Sequence, residues 1–188
     1  MPFARRMQEV YNIVNRHLER ASRIDIRNLP LDQASARLRE IANELSVAIN
    51  ELEAFLRNFE ENFRPMSDEY RERKRRIVAG MRTTLSQLRA MKSFYEKLAD
   101  LYSKLARLDA LIRSYGEGMN FLVNPSYRQQ VVDVLADVLA SARELRRMGE
   151  AFSRFGASEG LPELASLIRD MGSAMVQASR IPYMELKG

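Results

Sequence analysis

The residues with the clearest chemistry are arginines at helical spacing. Arg16, Arg20, Arg23 and Arg27 follow one another at intervals of four, three and four. At about 100° per residue they share one stripe with Arg5, roughly 160° from the apolar residues of the same segment. Arg71, Arg75, Arg82 and Arg89 repeat the arrangement, about 140° from their own apolar seam. A guanidinium is permanently charged and its fork matches phosphate oxygens, so the chemistry implied is anion binding. Glu19 is placed to pair with Arg23, but Arg20, Arg27, Arg82 and Arg89 have no acid three or four positions away. Like charges at that spacing repel by a few tenths of a kcal/mol, and an anion laid along the stripe reverses the sign.

Two readings of these arginines stand side by side. One is a phosphate track along a duplex backbone. The other is docking of basic helices on an acidic one, within or between subunits. The charge is segregated by segment: residues 64–92 carry nine basic and three acidic side chains, and residues 31–63 carry three basic and seven acidic. Tyr70 is the only aromatic ring interleaved with the arginines, so stacking on single-stranded bases is not favoured. No short helix-turn-helix core for base readout is present.

Other candidate motifs lack the context their chemistry needs. Gly156-Ala157-Ser158-Glu159-Gly160 spells a nucleophile elbow, but that turn needs a preceding strand and a nearby histidine base. Here it joins two helical segments, and the only histidine, His17, is about 140 residues upstream. The segment reads as a linker whose Ser158 can cap the next helix. Gly116-Glu117-Gly118 is a fragment of a phosphate loop without a strand. Glu40, Glu44 and Glu51 lack the Glu-x-x-His pairs of a di-iron bundle, so they read as a solvated acidic face. His17 lies at the edge of an apolar seam and reads as a boundary residue. The chain has no cysteine, which excludes disulfides and thiolate metal sites. No catalytic residue, metal site or cofactor is expected, and the chain reads as a non-enzyme.

The elements that must position the arginines are helices, because apolar residues recur every three or four positions almost throughout. The first helix is expected over 2–27, with the seam Phe3, Met7, Val10, Val14, Leu18, Ala21 and Ile24, and a break at Asn28-Leu29-Pro30. Asp32 is the expected cap of the second, over 32–63, whose seam Leu38, Ile41, Leu45, Ala48, Leu52, Phe55 and Phe59 alternates as a heptad does. Arg64-Pro65-Met66 breaks the chain, and Ser67 caps a third helix over 67–115, in which Gly80 or Ser93 marks the place for any kink. Its seam runs from Ile77 to Tyr115, and unbroken it spans ~72 Å. Asn124-Pro125 opens a fourth helix over 125–155, with Val131, Val134, Val138, Ala142, Leu145, Met148 and Phe152 inward. A fifth is expected over 161–179, followed by a tail over 180–188.

The fold expected is therefore all-α: a single domain over 1–188, an elongated bundle of four to five long amphipathic helices with coiled-coil-like packing. The third helix outruns the second by ~20 Å or more. An apolar seam left bare requires a second subunit, so a homo-oligomer or filament is expected. Phe121, Leu122, Val123, Ile181, Tyr183 and Met184 lie in apolar segments outside the helices. They either fold back over a bundle end or reach a neighbouring subunit. No signal peptide and no apolar run near the ~18 residues of a membrane span are visible. An intracellular or virion-enclosed protein, not a secreted one, is expected. Arg outnumbers Lys by 25 to 5, which phosphate binding, a GC-rich genome or a hot habitat would each produce.

The cysteine-free, Arg-rich helices, the two arginine stripes and the apolar terminal segments together resemble the helical coat or nucleocapsid proteins of archaeal filamentous and related viruses. The resemblance implies a structural protein that wraps double-stranded DNA with long helices. The other class open to the sequence is a protein-binding bundle, a scaffold or adaptor without a nucleic-acid role. A membrane-surface role is a third, since arginine stripes also attract anionic lipid.

Overall fold

The computed structural model describes residues 2–114 and 125–153. Among them the chain forms four α-helices and no strand: α1 (Pro2–Arg23), α2 (Leu31–Asn62), α3 (Asp68–Ser114) and α4 (Pro125–Ser153). The fifth helix expected over 161–179 and the tail over 180–188 lie outside the described residues.

α1 opens on Pro2, whose fixed φ suits the first helical position. It stops at Arg23, four residues earlier than expected. The Asp25 carboxylate accepts the Arg27 backbone N–H at 2.9 Å, offering the chain an alternative to the helical ladder. Ile24 closes the last turn with a bond to the Ala21 carbonyl, and Asn28 takes a left-handed φ of 64° that asparagine tolerates. Pro30 then stands extended ahead of α2, where Asp32 was the expected cap. No side chain caps that end. Asp32 lies in the first turn, where its charge favours the helix dipole without closing a hydrogen bond.

The heptad seam of α2 is buried from Leu38 to Phe59. Its C-terminal carbonyls are met by a lysine from the next helix: the Lys74 ammonium donates to the Glu60 oxygen at 3.0 Å and to the Phe63 oxygen at 2.6 Å. Ser67 caps α3 as its sequence position implies, its Oγ accepting the Tyr70 N–H at 3.2 Å. α3 then runs 47 residues through Gly80 and Ser93 without a break, a span of ~70 Å.

The packing order follows the chain order. α1 lies on α2, α2 on α3, and α4 on α3. α1 runs antiparallel to α2, with Phe3 edge-on to Phe59 and Phe63 at ring distances of 5.7 and 5.5 Å. α4 lies along the second half of α3, held by Lys97–Glu144 at 2.7 Å, Lys104–Asp137 at 3.0 Å and the Tyr127 hydroxyl on the Leu111 carbonyl. Because α3 has neighbours on two sides, it buries more than the single seam anticipated. Leu85, Phe94, Ala99 and Leu101 are buried beside Leu88, Met91, Tyr95 and Leu98. Each such large side chain contributes about 1.5–3 kcal/mol on burial. One polar bridge crosses this core: the Ser35 hydroxyl donates to the Ala99 carbonyl at 2.8 Å.

Candidate nucleic-acid interface

The helices divide the arginines into two groups. In α1, Val10, Val14, Leu18 and Ala21 face α2 and are buried, which turns Arg16, Arg20 and Arg23 outward. Among the described residues none of these three makes an ion pair or a side-chain hydrogen bond. Glu19 does not pair with Arg23; its carbonyl instead accepts the Ser22 hydroxyl at 2.7 Å. Arg5 continues the stripe and makes a loose 3.5 Å contact with Glu9, both side chains well exposed. Arg27 leaves the stripe, because the helix has already ended. Its guanidinium clamps Asp25 at 3.0 to 3.2 Å and holds that carboxyl below its ordinary range.

The α3 stripe behaves otherwise. Arg82 pairs with Glu60 and Arg89 with Glu53, both acids of α2. These are the two arginines that lack an acid within their own helix, and the neighbouring helix supplies one for each. With Arg57 they line an open groove of about 470 Å³ between α2 and α3. The first turns of α3 differ again. Arg71 pairs with Asp68 at 3.2 Å, Arg75 and Arg76 both reach Glu72 at 3.3 and 3.5 Å, and the Arg73 guanidinium lies 5.8 Å from the Tyr70 ring centroid. All of these side chains are exposed.

His17 and Glu44 form a contact the sequence reading missed. The half-buried imidazole Nδ1 bonds the Glu44 carboxylate across the α1–α2 interface. Glu44 is therefore not part of a solvated acidic face, unlike Glu40 and Glu51, which are exposed. The one signal available was the position of His17 at the seam edge.

Among the described residues, no group of three or more His, Asp or Glu side chains is placed to hold a metal ion. No described helix is long and apolar enough to cross a membrane. The motifs at 116–118 and 156–160 lie outside the described residues, as do the proposed subunit contacts Phe121, Leu122, Val123, Ile181, Tyr183 and Met184. The class defined by these observations is an all-α protein whose packed helices carry unequal arginine faces. No protein-family model matches the chain, and neither a curated protein nor a solved structure is significantly similar to it.

Proposed function

We propose that this chain is a non-enzymatic structural protein that self-assembles and coats double-stranded nucleic acid without reading sequence. The observation that carries the reading is the outward set Arg16, Arg20 and Arg23 on α1, without partners among the described residues and opposite a packed face. Three permanent charges fixed on one rigid helix face repel one another in the free protein and are relieved by a row of phosphates. The elongated, coiled-coil-like form expected of such a coat is supported by the heptad burial of α2 and the ~70 Å length of α3.

One observation favours the scaffold reading: Arg82 and Arg89 are already paired with α2 carboxylates. The phosphate track is accordingly assigned to α1 rather than to both stripes. The test is fluorescence anisotropy with duplexes of unrelated sequence, on the full chain and on R16Q/R20Q/R23Q. The expected result is equal loss of affinity for every duplex, with the salt slope flattened by about 2.7, or 0.9 per phosphate contact. Unchanged binding in the triple variant would overturn the assignment of the track to α1, and no duplex binding by the full chain would assign it to the scaffold class.

A further inference from the structure

α3 begins beyond the end of α2. The Arg82–Glu60 and Arg89–Glu53 pairs set the register of the two antiparallel helices, and α2 has only two residues left after Glu60. Residues 68–76 therefore extend as a single helix of about 13 Å with no helix of comparable length beside it. Every side chain from 66 to 76 is exposed except Lys74, which is half-buried against the end of α2. Met66, at the tip of this projection, is 94% exposed. The projection carries Arg71, Arg73, Arg75 and Arg76.

The angular distribution of these charges limits the partner. Taking Arg71 as the origin at about 100° per residue, Arg75, Arg76 and Arg73 fall near 40°, 140° and 200°. Cations thus point to both sides of the rod. A flat anionic bilayer meets one side of a helix and rewards an apolar face beneath it. Here Tyr70 is the only aromatic ring on the rod. A groove walled by two rows of phosphates meets both sides at once. The B-form major groove is ≈ 12 Å wide and admits an α-helix of about 10–12 Å diameter. The A-form RNA major groove is too narrow for side chains to enter.

Building on the coat reading, we propose that the projecting start of α3, residues 68–76, lies in the major groove of B-form DNA as a sequence-independent wedge and selects DNA over double-stranded RNA. Arg71, Arg75, Arg76 and Arg73 bind phosphates on the two groove walls, exchanging Asp68 and Glu72 for them. These intrahelical pairs are exposed and screened by solvent, so little is lost when they are exchanged.

The test uses the full chain and the variant R71Q/R73Q/R75Q/R76Q, which leaves Lys74 and its cap in place and so keeps the fold, with a melting temperature within about 5 °C of the parent's. Each protein is titrated with a duplex DNA, with RNA of the same sequence, and with DNA whose major groove is filled by glucosylated cytosines. The parent is expected to prefer plain DNA over both other duplexes by about tenfold or more, and the variant to lose that preference. If all four arginines contact phosphate, the affinity ratio between 50 and 200 mM salt shrinks by about a hundredfold in the variant. Equal affinity of the parent for all three duplexes overturns the wedge. So does an unchanged preference in the variant; if R16Q/R20Q/R23Q still loses binding, the coat reading survives alone. A variant that loses binding to phosphatidylserine vesicles but not to DNA overturns the wedge in favour of a lipid surface. No duplex binding by the parent overturns both.

Discussion

Replacing Arg82 and Arg89 with glutamine should lower stability and leave duplex binding nearly unchanged. Each guanidinium meets an α2 carboxylate across the helix interface. The arginine side chains are 66% and 57% exposed and the acids 32% and 33%, so solvent screens both pairs. The Coulomb attraction at full strength is therefore the wrong measure, and about 0.5 kcal/mol per pair is the appropriate one. The double variant then loses about 1 kcal/mol, and a chain of this size loses about 2–4 °C in melting temperature per kcal/mol. A thermal melt followed by circular dichroism at low salt resolves that shift. Raising the salt to 1 M shortens the screening length to about 3 Å and should shrink the difference. Adding E53Q and E60Q completes a double-mutant cycle, and the coupling energy should be about 0.2–1 kcal/mol per pair. An unchanged melt, no coupling, and a drop in DNA affinity as large as that of R16Q/R20Q/R23Q would refute the assignment and return these arginines to the phosphate track.

Three further outcomes follow from the packing. Leu52→Ala removes a side chain with no exposed surface in the α2 seam, and chemical denaturation should show a loss of about 2–5 kcal/mol. Lys74→Met keeps the aliphatic stem but removes the ammonium from the Glu60 and Phe63 carbonyls; about 1 kcal/mol should be lost, with no effect on DNA affinity. The Asp25 carboxyl should titrate below its ordinary range by NMR, because the Arg27 side-chain and backbone hydrogen bonds favour its ionised form. Since the folded pKa is depressed, its contribution is complete above the ordinary carboxylate value and is lost as pH falls through the lower one. Arg27→Gln should move that titration back up.

Much of the architecture was legible because burial here follows periodicity. The Ser67 cap, the Pro125 start and the α2 seam all rest on local chemistry, and the structure has them where the sequence implied. The failures are non-local or concern competition between local options. α1 ends early because the Asp25 side chain takes a backbone N–H that a helix would have used. Asp32 does not cap α2 because the chain enters extended at Pro30 and the helix begins one residue sooner. Phe94 and Leu101 lie beside the expected seam, and the arrival of α4 on α3 makes that side interior, whereas Leu85 is buried where α2 meets α3.

The two arginine stripes show why residue type and spacing alone did not settle the candidate site. Both lie far from their own seams, and both hold arginines without acids in their own helix. Their fates diverge because of what stands on the next helix. Glu53 and Glu60 are seven residues apart on α2, and Arg82 and Arg89 are seven apart on α3. When two helices pair antiparallel, positions seven apart on one meet positions seven apart on the other, two turns at a time. Glu60 thus meets Arg82 and Glu53 meets Arg89 in one register. That periodicity was present in the sequence, but only knowledge of which helices pair turns it into contacts. α1 also packs on α2, yet the acid that meets it across the interface, Glu44, is taken by His17. Arg16, Arg20 and Arg23 point away from that interface and meet no acid among the described residues. The acidic helix thus absorbs part of the basic charge of α3 and none of the outward charge of α1. In the proposed coat reading, this difference in neighbours, and not any difference in arginine content, is what directs an incoming polyanion to α1 and to the exposed start of α3.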